Sequence, residues 1–204
     1  QMMVTGARIA LVPAAVVAAG AWAFSEEALT LWVGESFRGA SLVLGILPTA
    51  LALSVPQTVI SGVFTMTGRH RFTAAAAVAA MCVNLVASLS LVGVLGIAGV
   101  ALGTLIAAGL VDGILVLVIA TRKVGLSYWR YVATVFLPAA SCGVAQYLVT
   151  LGVKTLWPPE HLIILVLEGM PGALTFGLLY WLLFMTEQEK ALIRRKLGRA
   201  APAN

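Results

Sequence analysis

Residues 39–103 read GASLVLGILPTALALSVPQTVISGVFTMTGRHRFTAAAAVAAMCVNLVASLSLVGVLGIAGVALG, and this stretch decides the fold. It contains an apolar run with two internal prolines, a basic loop, a second apolar run and an uncharged glycine turn that opens a third. A helix needs ~20 apolar residues to cross the hydrocarbon core of a bilayer, and each run is near or above that length. Because a small soluble domain cannot bury runs this long, the stretch predicts consecutive membrane spans.

The whole chain has the composition of an integral membrane protein. Of its 204 residues, 61% are hydrophobic and 10% are charged, and the mean hydropathy is +1.02. Soluble domains average about 25% charged residues. The net charge of +5 resides in loops, where membrane orientation accounts for it without a nucleic-acid partner.

The apolar pattern predicts an all-α polytopic bundle of about six transmembrane helices. The predicted spans are residues 7–24, 40–66, 73–94, 97–121, 131–153 and 162–185. Helices are required because the hydrocarbon core satisfies no backbone polar group. The charged segment 25–39 is expected to form a short helix lying in the outer interface.

The basic residues predict how the bundle is oriented. Eleven of the 13 lie on one predicted side: Arg8, Arg69, Arg71, Arg122, Lys123, Arg130, Lys190, Arg194, Arg195, Lys196 and Arg199. Arg38 and Lys154 lie on the other. By the positive-inside rule the first side is cytoplasmic, so both termini are predicted there. Arg8 is expected to snorkel from the end of the first, short span to the aqueous boundary.

The second span carries a one-sided polar stripe, formed by Ser54, Gln57, Thr58, Ser61 and Thr65. Residues three and four apart share a helix face. The stripe could line a hydrated cavity, or its hydroxyl groups could satisfy carbonyls freed by proline and join helices together. Pro48 and Pro56 are expected to bend this helix, near Pro56 above all.

Two acids fall inside predicted spans. Asp112 is near the middle of the fourth, where an ionised aspartate costs roughly 2.5–3.5 kcal/mol, so it must be protonated, partnered or hydrated. It is therefore either a functional group or a packing residue with a polar neighbour. Glu168, in the outer third of the last span, is the weaker candidate because it can reach the interface. Asn84 and Ser88, one turn apart, favour an interhelical hydrogen bond over a ligand.

Small residues in the fourth span form two pairs, Gly99 with Gly103 and Gly109 with Gly113. Pairs at this spacing let a neighbouring backbone approach closely. Cys82 and Cys142 are expected to be small core residues, since their spacing fits no disulfide framework or metal site.

Nothing in the chain predicts an enzyme. His70 and His161 are on opposite predicted sides, and no HExxH, GxSxG or phosphate-cradling loop occurs. We therefore expect no catalytic residue, no cofactor and no metal.

The order of motifs resembles a known family. A stretch reading LWVGESFRGAS leads into a helix ending in MTGRHRF, and a helix with NLVASLSLV then meets the turn GIAGVALGT. This order is similar to that of the polysaccharide and lipid-linked oligosaccharide flippases of the multidrug/oligosaccharidyl-lipid/polysaccharide exporter superfamily. The turn from Gly96 to Gly99, after an Asn-bearing helix, is the most specific part. The resemblance covers residues 8–121, and beyond them only position and hydropathy agree.

The resemblance implies a transporter that works by alternating access between two six-helix lobes. Residues 1–121 would be the end of the second lobe, 122–188 an extra helix pair and 189–204 a basic cytoplasmic tail. The chain would be a C-terminal part, with a missing N-terminal lobe of the same protein as its partner. Its substrate would be a lipid-linked saccharide in a bacterial inner membrane, in contact with membrane lipids. The alternatives are a multidrug or organic-cation exporter of the same superfamily and a small six-helix structural membrane protein.

Overall fold

The structure is a computed structural model that describes residues 2–68, 70–157, 159, 161–187 and 190. Within them every regular element is helical and there is no strand, which confirms the predicted all-α class. Six helices of the described part are long and apolar enough to cross a membrane, as predicted. The orientation stays a prediction. Arg69 and all of the basic tail 189–204 except Lys190 lie outside the described residues.

The helices follow one another in antiparallel order through short connections. They are α1 (Met2–Trp32), a 3₁₀ turn (Glu35–Ala40), α2 (Ser41–Met66), α3 (His70–Leu95), α4 (Ile97–Ala107), a π-helical stretch (Ala108–Val116), α5 (Leu117–Val124), α6 (Tyr128–Leu156), α7 (Leu162–Leu179) and a final π-helical turn (Tyr180–Phe184). α4, the π-helical stretch and α5 together make the fourth span, Ile97–Lys123.

The first helix is longer than the sequence predicts. It continues through the charged segment to Trp32, with one distorted residue at Phe24 (φ −117°, ψ 16°). The charged side chains find partners there, because Lys154 on α6 lies 2.5 Å from Glu27 and Arg38 lies 3.1 Å from Glu26. Residues 25–32 are thus a bent extension of α1, and the separate helix expected for 25–39 is reduced to the 3₁₀ turn.

The second helix passes through both of its prolines without interruption. Ser41–Met66 is one α-helix with Pro48 and Pro56 inside it, and Pro56 is buried. The carbonyl that Pro56 deprives of its helical donor is that of Ala52, four residues earlier. The bond from Thr58 to the carbonyl of Val55 at 2.7 Å serves a different carbonyl. The helix therefore continues through Pro56 although the proline removes one of its backbone bonds.

The core of the bundle lies where α1, α2, α5 and α6 meet. Its buried side chains include Leu11, Ile60, Phe64, Val116, Tyr131 and Val135. Lipid tails are as apolar as these residues, so close packing rather than escape from water holds the helices together. Cys142 belongs to a smaller core with Phe176 and Tyr180, as predicted. Cys82 does not, since it is on the exposed face of α3, and its predicted core position is wrong.

The third helix is covered on one side alone. Among its described residues Ala76 is the one that is buried, and Val78, Met81, Leu85, Val86 and Leu89 are all exposed. α3 is attached mainly to α4, at a close approach that glycine permits. A Cβ added at Gly99 would lie 2.6 Å from the backbone carbon of Leu91, and one at Gly103 would lie 2.7 Å from the nitrogen of Ser88. Gly96, with φ 58°, makes the turn between the two helices.

Candidate functional site

An open groove of about 530 Å³ lies between α2, α3 and α4, on the side that α3 leaves uncovered. Its polar lining comes from Ser54, Asn84, Thr104 and Asp112. Its apolar lining includes Leu47, Leu51, Met81 and Leu85. The groove thus has a polar centre with apolar walls, a combination that favours an amphipathic ligand.

The centre of the groove is a direct bond between two of the predicted residues. The hydroxyl of Ser54 on α2 donates to Oδ2 of Asp112 at 2.6 Å. Asp112 is therefore partnered, which was one of the three states that its position inside a span required. It stands in the π-helical stretch, where the wider backbone spiral breaks the regular 3.6-residue period. π-Helical turns recur at functional sites.

The opposite wall carries a chain of amide and hydroxyl groups. Asn84 Nδ2 donates to Thr104 Oγ1 at 3.1 Å, and Ser88 Oγ donates to Asn84 Oδ1 at 3.0 Å. The first bond crosses from α3 to α4, which confirms the interhelical role predicted for Asn84. It forms because Gly103 brings α4 against Ser88. Asn84 is thus held with a fixed orientation at the edge of the groove.

The rest of the polar stripe on α2 stays outside this groove. Gln57 and Ser61 are half-buried and bond to each other, with Ser61 Oγ donating to Gln57 Oε1 at 3.3 Å. Thr58 and Thr65 are exposed and bond to carbonyls of their own helix. One face of α2 therefore serves two purposes, since Ser54 lines the groove and the threonines satisfy backbone groups.

The structure separates Glu168 from the groove. Glu168 is 6% exposed, because α7 packs it against α1 and α6. The expectation that it reaches the interface is therefore wrong. Gly169 next to it lies against Phe24, with an added Cβ 3.5 Å from that ring, and this close packing of α7 on α1 shuts Glu168 in. Neither of its carboxylate oxygens has a hydrogen-bond partner among the described residues.

Arg8 is also buried, at 7% exposure, so the predicted snorkelling is wrong. Its guanidinium donates to the backbone carbonyl of Phe184 and, at 3.4 Å, to the hydroxyl of Tyr180. It lies 5.9 Å from the centroid of the Tyr180 ring. The final π-helical turn leaves backbone carbonyls without their usual partners, and Arg8 donates a hydrogen bond to one of them.

Sequence reasoning missed Thr104 and the π-helical stretch. Thr104 follows Gly103 directly, so a search for hydroxyl groups beside small-residue pairs would have singled it out. The π-helical stretch has no comparable signal, because AGLVDGILV reads as an ordinary apolar helix apart from its aspartate. Among the described residues the pair Gly109 and Gly113 brings no other helix close, since none of their atoms lies within 4 Å of a Cβ added at Gly109.

The fold and groove define a multi-pass α-helical membrane protein with a polar groove at mid-span. Comparison with known proteins adds no closer assignment: no family model, no curated protein and no solved structure matches this chain.

Proposed function

We propose that this chain is part of a membrane transporter that moves lipid-linked saccharides between leaflets by alternating access. The observation that carries the proposal is the groove between α2, α3 and α4, whose polar centre is open sideways and flanked by leucine and methionine. A lipid-linked saccharide needs both features, because its head must leave water while its tail stays among apolar groups.

The polar centre has the chemistry that binds sugar hydroxyls. Carboxylate, amide and hydroxyl groups accept and donate hydrogen bonds in the directions that a polyhydroxyl head requires. Asp112 and Asn84 face the groove from two walls and are each fixed by a neighbour, Ser54 and Ser88. A held carboxylate and a held amide cost little ordering entropy on binding.

An apolar groove of about 390 Å³ adjoins the polar one and gives room for a hydrocarbon tail. It shares Leu47 and Leu51 with the polar groove, and its other lining residues include Val17, Leu29 and Leu44 of α1 and α2. A larger apolar groove of about 530 Å³ between α1, α2 and α6 opens on the opposite face of α2 and shares no lining residue with the polar groove. An apolar groove beside a polar one is the arrangement that a substrate with a long tail requires.

The polar groove is open on one side, so an alternating-access transporter would need a further wall of helices there. α3 presents a continuous apolar face there, and by the resemblance stated above the opposite wall belongs to a first lobe of the same protein. The location proposed is a bacterial inner membrane, as the resemblance implies. With one wall alone the groove has no second gate, so residues 1–204 expressed alone should insert but not transport.

One observation favours a different substrate. Asp112 is the single charged side chain among the described residues that line the groove, and a lone carboxylate at mid-span suits an organic cation. A lipid-linked pyrophosphate would need basic groups, and these would have to come from the opposite wall. An organic-cation exporter is thus the second candidate.

The test uses the complete protein of which residues 1–204 are proposed to be a part, expressed in bacteria that lack a flippase for their surface polysaccharide. Restored polysaccharide, lost again with Asn84→Ala or Asp112→Asn and kept with the exposed control Glu35→Gln, would support the flippase. Efflux of a fluorescent organic cation, abolished by Asp112→Asn, would instead support the exporter. Correct insertion with neither activity would overturn both and leave a structural membrane protein.

A further inference from the structure

A second polar site lies on the far side of the bundle from the groove, where α1, α6 and α7 meet. It contains two carboxylates and one ammonium group, those of Glu27, Glu168 and Lys154. Glu27 belongs to the extension of α1 beyond Phe24, Lys154 to the last turns of α6 and Glu168 to the middle of α7. Glu27 and Lys154 are the charged groups whose fields reach Glu168. The histidine nearest along the chain, His161, is exposed at the start of α7.

The ammonium group of Lys154 is paired with the carboxylate of Glu27. Lys154 Nζ lies 2.5 Å from Glu27 Oε1 and donates to the carbonyl of Ala23 at 3.2 Å. Both acceptors belong to α1. Lys154 therefore joins α6 to α1 and leaves Glu168 on α7 without a direct ionic partner among the described residues.

Three buried oxygen atoms remain without donors. They are Oε2 of Glu27 and both carboxylate oxygens of Glu168. Glu168 is 6% exposed, so water at the membrane surface does not reach it freely. Buried polar groups are almost always paired in native proteins, and each exception calls for a physical explanation.

The charges show what is missing. Two ionised carboxylates and one ammonium sum to a net charge of −1 in a site closed on three sides by helices. A water molecule could donate hydrogen bonds to the free oxygens, but it would not neutralise that charge. A metal ion would need more ligands than the site offers, since no group of three or more His, Cys, Asp or Glu side chains able to hold one occurs among the described residues. One positive charge completes the site.

We propose that Glu168 holds a proton in the folded bundle. The proton brings the site that Glu168 forms with Glu27 and Lys154 to zero net charge. The site lies where α7 meets the bent end of α1, so the proton removes a buried charge that would oppose the packing of these two helices. The proposal concerns binding alone and does not rest on the transport activity proposed above.

The experiment measures thermal unfolding of the purified chain in lipid nanodiscs. One arm varies pH at constant ionic strength in choline chloride, and the other replaces choline with sodium at fixed pH. A proton that binds the folded state more tightly than the unfolded chain raises the melting temperature on acidification, by roughly 3–6 °C for each pH unit between the two affinities. That rise is the expected result, and a rise specific to sodium with no response to pH would overturn the proposal.

Three variants connect the response to the site. Glu168→Gln, which keeps the shape and removes the charge, should weaken the response to acid and leave only the part that comes from Asp112 and the surface acids. Glu35→Gln, a control at an exposed carboxylate, should leave it as in the wild type. Lys154→Met removes the competing ammonium and should steepen the response, and it tests the site independently if Glu168→Gln fails to fold. The proposal would be overturned if the melting temperature changed with neither protons nor sodium. It would also be overturned if Glu168→Gln and Lys154→Met responded in the same way as the wild type.

Discussion

Ser54 on α2 donates a hydrogen bond to Asp112 in the π-helical stretch at 2.6 Å, although 58 positions separate them along the chain. The bond joins the polar stripe of one span to the single acid of another. It places a charged group and its donor at the centre of a groove whose other residues are mainly apolar. Each residue gives the other the partner that its position inside a span requires.

We expect this bond to be measurable as a coupling energy. Ser54→Ala, Asp112→Ala and the double variant form a thermodynamic cycle in reversible unfolding, because each single variant removes the bond. Hydrogen bonds between membrane helices average about 0.6 kcal/mol and reach about 1.7 kcal/mol at most. A coupling in that range confirms a direct contact, and Thr58→Ala with Asp112→Ala serves as the control pair with no coupling. Equal coupling in both cycles would contradict the assignment.

Asp112→Asn should fold and insert but transport poorly, if the carboxylate acts in transport. The substitution keeps the shape and can still accept from Ser54 through the amide oxygen, so it removes the charge with little structural cost. Transport by the complete protein and the amount inserted should be measured together. Full activity would reduce Asp112 to a packing residue.

The predicted orientation can be tested with a matched pair of serines. Ser36 follows α1 and Ser127 precedes α6, and both are exposed. In a background without Cys82 and Cys142, Ser36→Cys should react with a membrane-impermeant thiol reagent from outside the cell. Ser127→Cys should react after the cells are opened. Labelling of both positions from the same side would disprove the six-span topology.

The two glycine pairs of the fourth span should respond in opposite ways to alanine. At Gly103 the added Cβ would lie 2.7 Å from the nitrogen of Ser88 and would force α3 away, which costs about 1–3 kcal/mol of unfolding free energy. At Gly109 it meets nothing within 4 Å, and helix propensity favours alanine by up to about 1 kcal/mol. Equal destabilisation of Gly103→Ala and Gly109→Ala would be inconsistent with the packing described.

Arg8→Lys should destabilise the bundle although the charge is kept. The planar guanidinium of Arg8 donates to both the carbonyl of Phe184 and the hydroxyl of Tyr180. Lysine has a compact ammonium group in place of this planar fork of donors. We expect a loss of about 1–3 kcal/mol, the usual cost of leaving a buried polar group without its partner. Arg122→Lys, at an exposed position, is the control and should change unfolding by less. Similar losses in both would argue against a specific contact by Arg8.

Local chemistry accounts for what could be predicted from the sequence. The length of an apolar run is an additive property of neighbouring residues, so six spans and the all-α class followed from the chain itself. Helical spacing likewise predicted that Asn84 and Ser88 share a face, and the interhelical bond of Asn84 confirms their role. Gly99 and Gly103 were correctly identified as a site of close approach, because small side chains are visible in the sequence.

The partners of the polar groups were decided by the tertiary structure alone. Arg8 and Glu168 were both expected to escape to the boundary, as single helices in a bilayer would require. Both are instead buried, because contacts of α7 with α1 and α6 enclose them, and no sequence pattern encodes which helices become neighbours. The π-helical stretch and the groove that joins Ser54 to Asp112 have the same origin. The length of an apolar run decides whether a residue lies inside a membrane span. The partner of a polar side chain depends instead on distances between segments far apart in the chain, and only the folded bundle fixes those distances.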